Sequence, residues 1–189
     1  MNETEAVIIE HRVLGAGYIG IGGTPTEHRG DAAGIQKFIG DFTPAAKKIA
    51  DAGMKFMYHN HHFEFEKFDG KTMFDRVTDG FAANLAGVTL DTYWVQAGGA
   101  DPAFFLRKLA GRVDTIHFKD MSITKNADGG VVQTMAPILE GNLNWQAIFD
   151  ACKDAGVKYT FIEIDDCSGN DPFDWLKISY DNLYKHGYR

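Results

Sequence analysis

The stretch Met54–Glu66, with the sequence MKFMYHNHHFEFE, decides the fold of this chain. It follows an Ala-Gly pair, runs as an apolar segment, and ends in a polar cluster that holds three of the seven histidines. In an extended chain His59 and His61 share one face of the strand, and Asn60 and His62 take the other. A strand that becomes polar at its carboxyl end is typical of a parallel α/β enzyme, although a solvated strand end has the same pattern.

The same punctuation recurs along the chain, because an Ala-Gly pair precedes each of five apolar runs. This alternation predicts successive βα units in a single domain, 1–189, with parallel strands and with helices between them. The glycines are Gly17, Gly53, Gly87, Gly111 and Gly156, and the runs are YIGIGG, MKFMYHNH, VTLDTYW, RVDTIHFKD and VKYTFIEIDD.

Local signals predict where the helices begin. Asp101 and Asp171 each precede a proline, and Asn144 precedes WQAIFDACKDA, so all three are predicted N-caps. A helix is predicted over residues 3–14, and Thr124–Met135, which has no apolar period, is predicted to be a loop. The predicted inward positions are Ala6, Ile9 and Val13 in that helix, and Phe38, Phe42, Ala45 and Ile49 in a long helix over Gly30–Asp51.

Composition narrows the functional classes. The 189 residues are 44% hydrophobic and carry a net charge of −7, from 19 basic and 26 acidic residues. No apolar run approaches the roughly 18 residues that span a bilayer, and the acidic N-terminus does not resemble a signal peptide, so we expect a cytoplasmic protein without membrane contact. The charge argues against nucleic acid as a partner. Two cysteines without a CxxC pair indicate neither a disulfide framework nor a thiolate zinc site.

The carboxyl ends of the predicted strands carry groups that suit a metal site. Parallel strands joined by right-handed crossovers place these ends on one rim. Asp91, His117 and Glu163 end three successive strands, and His59 ends an earlier one. Taken singly, each has an ordinary structural explanation. Together, carboxylates and imidazole are the ligands of Mn²⁺, Mg²⁺, Co²⁺ or Zn²⁺, so we predict a divalent metal cofactor.

Several of these segments resemble the sugar phosphate isomerase/epimerase family of the xylose isomerase-like TIM barrel superfamily. The resemblance implies a metal at the carboxyl rim of a barrel, with Asp91, His117 and Glu163 as ligands. The strands resemble the fourth to the eighth of that barrel, which implies a partial (β/α) barrel of about five parallel strands with helices outside and without the first three βα units. Its edges would be Tyr18–Ile21 and Tyr159–Ile164. The segments are YIGIGG, YHNHHFEFEKFDGKT, LDTYWVQAGGADP, IHFKDM, EGNLNW and FIEIDD.

This chain departs from the family pattern at two positions. His59 stands where many relatives place a metal-binding glutamate, so His59 could bind the metal or act as a base, or Glu64 or Glu66 could fold back instead. Trp94 stands where relatives have a substrate histidine; it can stack on a sugar but cannot transfer a proton. The predicted roles are catalysis for Glu163 and His59, metal binding for Asp91, His117, Glu163 and His59, and substrate binding for His61, Trp94, Lys119 and Glu140.

The resulting hypothesis is a metal-dependent sugar or sugar phosphate isomerase or epimerase that abstracts a proton next to a carbonyl. The alternatives are a non-catalytic truncated barrel, or a lyase or dehydratase acting on a keto-sugar or inosose. A third alternative, hydrolysis of abasic DNA, is disfavoured because it needs more metal ligands and a basic groove. The predicted partners are a carbohydrate and further copies of the chain, because open strand edges favour association.

Overall fold

A computed structural model describes residues 3–188, and its centre is a five-stranded sheet. All four strand pairings are parallel and the strands follow chain order, which confirms the predicted architecture. The first and last strands are the two edges, as expected. The strands are β1 (Tyr18–Ile21), β2 (Lys55–His59), β5 (Ala86–Asp91), β6 (Thr115–Phe118) and β9 (Tyr159–Ile162). The short strands β3 (Lys67–Phe68) and β4 (Lys71–Thr72) form a separate pair.

The main sheet is curled into a partial barrel. Tyr18 on one edge strand and Tyr159 on the other have ring centroids 5.9 Å apart, at an interplanar angle of 74°. Four strand spacings in a flat sheet would separate these edges by roughly 19 Å. The rings therefore meet across the interior of a trough, and its upper rim is formed by the carboxyl ends of the strands.

The helices surround the outside of the trough. Asp101, Asn144 and Asp171 accept hydrogen bonds from backbone N–H groups in the first turns of their helices, which confirms the predicted caps. In residues 3–188 no helix is both long enough and apolar enough to cross a bilayer. The helices are α1 (Glu3–Val13), α2 (Ala32–Asp51), α3 (Met73–Gly80), α4 (Thr92–Ala97), α5 (Pro102–Lys108), α6 (Trp145–Ala155) and α7 (Pro172–Lys185), with 3₁₀ turns at Thr26–His28 and Phe63–Phe65.

The predicted inward face was correct for much of α2 and wrong for α1. In α2, Phe38 and Ile49 are buried, whereas Phe42 and Ala45 are half-buried. In α1, the predicted Ala6 is half-buried, but Ile9 is exposed and Val13 is 83% exposed, and the core is contacted by Ile8 and in part by Val7. Four consecutive apolar residues, 6–9, leave the buried side of this helix undetermined by sequence, so its neighbours in the fold select that side.

The predicted loop over Thr124–Met135 is wrong, because most of it belongs to an antiparallel hairpin. β7 (Asp120–Lys125) pairs with β8 (Val131–Ala136), and Asn126 closes the turn by accepting a hydrogen bond from the Gly130 N–H at 2.7 Å. Most of the hairpin is exposed on both faces, so its strands lack the one-sided apolar alternation by which a sequence reveals a strand.

The segment around β5 also differs from the prediction. Gly87 does not end a helix but lies inside the strand, where a Cβ atom would come within 2.7 Å of the Met57 sulfur and 2.9 Å of the Arg112 carbonyl oxygen. The strand ends at Asp91 rather than running to Trp94, and α4 begins at the next residue. The glycine thus serves close packing between elements.

Candidate metal centre

Four side chains from four neighbouring strands converge at the upper rim of the trough. His59 ends β2, Asp91 ends β5, His117 lies in β6, and Glu163 follows β9 directly. One potential ligand atom from each residue lies within 4.8 Å of those from the other three. The parallel register explains the convergence, since Asp91 pairs with His117 and Phe118 of β6 pairs with Ile162, next to Glu163. The structure therefore brings together all four residues predicted as ligands.

The fully buried carboxylate of Asp91 is divided between two tasks. Its Oδ1 accepts a hydrogen bond from the Trp94 N–H at 2.9 Å and so caps α4. The Asp91 N–H donates to Oδ1 of Asn60 at 3.0 Å, which fixes the backbone at the strand end. Oδ2 then points into the cluster, 3.6 Å from His59 Nε2 and 3.9 Å from His117 Nδ1.

The cluster has unsatisfied polar atoms that fit a metal ion. Within the described residues, His59 Nε2, Asp91 Oδ2, His117 Nδ1 and Glu163 Oε2 are buried and have no hydrogen-bond partner. The Lys119 ammonium lies 3.1 Å from Asp91 Oδ2 and 3.5 Å from Glu163 Oε2, but buried polar atoms that make no hydrogen bond are costly, so four that face one another suit the coordination of a cation. Two imidazole nitrogens and two carboxylate oxygens are a suitable donor set for a first-row divalent ion.

Glu163 and His117 are in direct contact through Oε2 and Nδ1, outside the geometry of a hydrogen bond. This contact with the imidazole lowers the pKa of Glu163 to about 2, against the opposing effect of burial and with help from the positive charge of Lys119. The carboxylate is therefore ionised at neutral pH, as a metal ligand must be.

Lys119 lies beside the cluster, with a side chain that is only 1% exposed. Its ammonium nitrogen is 2.8 Å from Asp165 Oδ2, 3.1 Å from Asp91 Oδ2 and 3.5 Å from Glu163 Oε2. Burial by itself lowers the pKa of Lys119, but the surrounding carboxylates, Asp91 foremost, outweigh burial and raise it. A charged ammonium is thus built into the site.

His61 and Trp94 form the adjoining wall. Their ring centroids are 5.5 Å apart, and the His61 ring stacks on Phe63 at 5.6 Å. Within residues 3–188, His61 Nδ1 and Trp94 Nε1 are buried without a hydrogen-bond partner. Burial, followed by the charge of His59, lowers the pKa of His61 to about 4, so this ring is neutral at pH 7. An open cavity of about 400 Å³ is lined by His59, His61, His117 and Glu163, among others.

Three other acidic residues considered from the sequence have different surroundings. Glu64 is buried, with Oε1 accepting from the Tyr58 hydroxyl at 2.8 Å and Oε2 from the His61 N–H at 2.7 Å, and burial raises its pKa. Glu66 is exposed. Glu140 is exposed and accepts a hydrogen bond from Asn182 at 2.9 Å. Within the described residues, the structure does not bring these three carboxylates into the four-residue cluster.

Sequence reasoning missed two supporting residues. Asn60 holds the Asp91 backbone, and only its place in the polar cluster after β2 could have indicated it. The buried Asp120 carboxylate accepts hydrogen bonds from the Trp145 indole N–H at 2.7 Å and from the backbone N–H groups of Leu139 and Gly141 at 2.9 Å. It thereby fixes the connection that follows the hairpin, and its position directly after Lys119 was the available signal.

Comparison with known proteins identifies the fold. Residues 3–185 match the family model described as xylose isomerase-like TIM barrel. Two sugar phosphate isomerase/epimerase structures from Parabacteroides distasonis are similar. One shows 20% identity and a TM-score of 0.79, with 95% of this chain and 61% of that chain covered. The other shows 23% identity and a TM-score of 0.77, with 96% and 64% covered. A structure of L-ribulose 3-epimerase shows 15% identity and a TM-score of 0.69, with 96% of this chain and 65% of that chain covered.

These likenesses have a defined extent. At identities of 15–23% they show the fold, and the chain spans less than two thirds of the length of each of these three structures. A search of curated proteins gives no match.

Proposed function

Because the chain belongs to the xylose isomerase-like TIM barrel family, we propose that it is a metal-dependent sugar or sugar phosphate isomerase or epimerase. The observation that carries the proposal is the set of four buried ligand atoms from His59, Asp91, His117 and Glu163, which lie within 4.8 Å of one another and make no hydrogen bond within the described residues. These residues would hold one divalent ion, Mn²⁺, Mg²⁺, Co²⁺ or Zn²⁺. When bound beside substrate oxygens, such an ion polarises a carbonyl and acidifies the proton on the adjacent carbon.

The protein groups around the cavity divide the remaining work. Glu163 turns Oε2 to the cluster, which leaves Oε1 to take the proton, and His59 faces the same cavity from the strand on the other side of the β5–β6 pair. Trp94 Nε1 donates to a substrate oxygen, and the neutral His61 ring orients a hydroxyl. The buried Lys119 ammonium offsets the repulsion between the Asp91 and Glu163 carboxylates. The substrate role predicted for Glu140 stays a prediction.

The metal is tested by elemental analysis of the purified protein. We expect about one divalent ion per chain after loading with Mn²⁺ or Zn²⁺ and gel filtration. The Asp91→Ala/Glu163→Ala variant should retain almost none. A matched control, Asp150→Ala/Asp154→Ala, removes two exposed carboxylates from α6 and should load like the wild type. Equal divalent content in wild type and the Asp91/Glu163 variant would rule the site out.

The chemistry is tested without knowing the sugar. Proton abstraction next to a carbonyl exchanges that proton with solvent, so loaded protein in D₂O should introduce deuterium at that carbon in some member of a panel of aldoses, ketoses and their phosphates. Proton NMR follows the signal loss. If metal binds but the whole panel stays unlabelled, the metal site stands and the isomerase or epimerase assignment is abandoned in favour of the non-catalytic alternative.

We also propose that copies of the chain associate through the open edges. Tyr159 and Phe161 on β9 are exposed, as are Phe173 and Leu176 on α7. Exposed apolar clusters next to an unpaired strand edge favour pairing with another chain. Sedimentation velocity should show a dimer or larger species at micromolar concentration. A stable monomer that does not bind a hydrophobic dye would contradict this.

A further inference from the structure

Lys119 places a positive charge against the very oxygens that are proposed to bind a metal ion. Its ammonium nitrogen lies 3.1 Å from Asp91 Oδ2 and 3.5 Å from Glu163 Oε2, and 2.8 Å from Asp165 Oδ2. A cation at this distance repels a bound metal ion, and a buried lysine is costly unless it is paired. The three carboxylates offset the cost of burying Lys119, so it is the repulsion of a bound metal ion that requires an explanation in terms of charge.

The charges around the cluster add up to that of a divalent ion with the opposite sign. Asp91, Glu163 and Asp165 contribute three negative charges and Lys119 contributes one positive charge, while His59 and His117 bind metals as neutral imidazoles. The site therefore carries two negative charges. A divalent ion cancels them, whereas a trivalent ion would leave an uncompensated positive charge beside the buried Asp91 and Lys119.

Asp165 holds the ammonium in position, and the hairpin holds Asp165. The Asp165 carboxylate makes the shortest of the three contacts with Lys119. The Asp165 and Asp166 N–H groups donate to the Met135 sulfur on β8 at 3.2 Å and 3.4 Å. The ammonium nitrogen of Lys119 also lies 5.4 Å from the centroid of the Trp94 ring. Groups from three elements therefore fix where this charge sits.

We infer that Lys119 is a built-in counter-charge that adjusts the metal site to a divalent rather than a trivalent ion, and that the Asp165 carboxylate offsets part of that charge. The inference rests on the proposed function, because it assumes that the four-residue cluster binds metal. In this role neither Lys119 nor Asp165 binds the metal ion directly.

The test measures Mn²⁺ affinity by electron paramagnetic resonance and Tb³⁺ affinity by luminescence sensitised by Trp94. Lys119→Met should bind Mn²⁺ about tenfold more tightly than wild type, because a positive charge close to the ion is removed. Its Tb³⁺ affinity should rise by about a further tenfold, because the repulsion that is removed is larger for a trivalent ion. Asp165→Asn should change both affinities in the opposite direction. The double variant restores the charge of the site, so its Tb³⁺-to-Mn²⁺ affinity ratio should return to within about threefold of the wild-type ratio.

Controls separate this charge effect from damage to the fold. Lys177→Met and Asp181→Asn make the same changes in an exposed ion pair on α7 and should leave both affinities unchanged. Circular dichroism checks folding, and Lys119→Gln, with the same expected sign, replaces a Met variant that does not fold. Wild type that binds no Mn²⁺ contradicts the proposed function. This inference alone is overturned if wild type binds Mn²⁺ and Lys119→Met has the same Tb³⁺-to-Mn²⁺ affinity ratio as wild type. It is also overturned if Lys119→Met binds Mn²⁺ more weakly than wild type.

Discussion

The buried carboxylates at the two ends of the central strands differ in how their polar surroundings are paired. At the amino-terminal end, the buried Asp114 carboxylate lies just before β6, 2.6 Å from the ammonium nitrogen of Lys55 and 2.9 Å from that of Lys158. At the carboxyl end, Asp91 is fully buried, and its Oδ2 lies 3.1 Å from the Lys119 ammonium, but the imidazole nitrogens of His59 and His117 that face it have no hydrogen-bond partner within the described residues. Polar groups in a fold are normally paired, so the satisfied end serves stability and the unsatisfied end indicates a site.

The largest expected effect comes from Asp91→Asn, which breaks the unsatisfied end. Asparagine caps a helix about as well as aspartate, so α4 should keep its N-cap while the cluster loses one negative ligand. We expect divalent affinity to fall by about 100-fold or more, because a neutral amide is a poor replacement for a carboxylate among metal ligands. Isothermal titration with Mn²⁺ measures the loss, and an unchanged affinity would show that Asp91 is not a ligand.

The reciprocal change, Asp114→Asn, breaks the satisfied end. It leaves the Lys55 ammonium half-buried beside a neutral amide, so we expect the free energy of unfolding to fall by about 1–2 kcal/mol. Urea denaturation measures it. Mn²⁺ affinity should stay at the wild-type value, and a loss of metal binding would mean that the two ends are not independent.

Acid should weaken the satisfied end through the same carboxylate. Burial alone would raise the pKa of Asp114, but its bonds to Lys55 and Lys158 prevail and hold the pKa below the usual value of 3.8. A lowered folded pKa means stability that is present above the unfolded pKa and lost as the pH falls through the folded one. The metal-free protein should therefore lose more stability than Asp114→Asn between about pH 5 and pH 3. If the free energy of unfolding falls equally with pH in wild type and in Asp114→Asn, the effect does not come from Asp114.

The smallest effect is expected for Trp94→Phe, which removes one unpartnered donor beside the metal cluster. The indole N–H has no acceptor within residues 3–188, so deleting it costs no internal hydrogen bond. We expect the free energy of unfolding to change by less than about 1 kcal/mol. Binding of a sugar that wild type recognises should weaken by roughly tenfold, because its oxygen loses a donor. Equal sugar affinity would remove Trp94 from the site.

The same contrast explains why His59, Asp91, His117 and Glu163 could be predicted together. Each follows an apolar run, and parallel strands joined in chain order must bring their carboxyl ends to one rim. Chain order and strand ends are local properties of the sequence. The failures were elsewhere: α1 had an ambiguous apolar run, and the hairpin β7–β8 had two exposed faces and no apolar period.

The sequence by itself determined the strand order, the helix caps and the set of side chains at the rim, because these depend on neighbours along the chain. Only the tertiary structure decided that the Lys119 ammonium lies among three carboxylates, that Asn60 fixes the Asp91 backbone, and that Glu64 bonds to Tyr58 instead of joining the cluster. Lys119 and Asp165 are 46 residues apart in the chain and meet only because their strands are paired. The charge balance of a site depends on such meetings, and no local pattern encodes them.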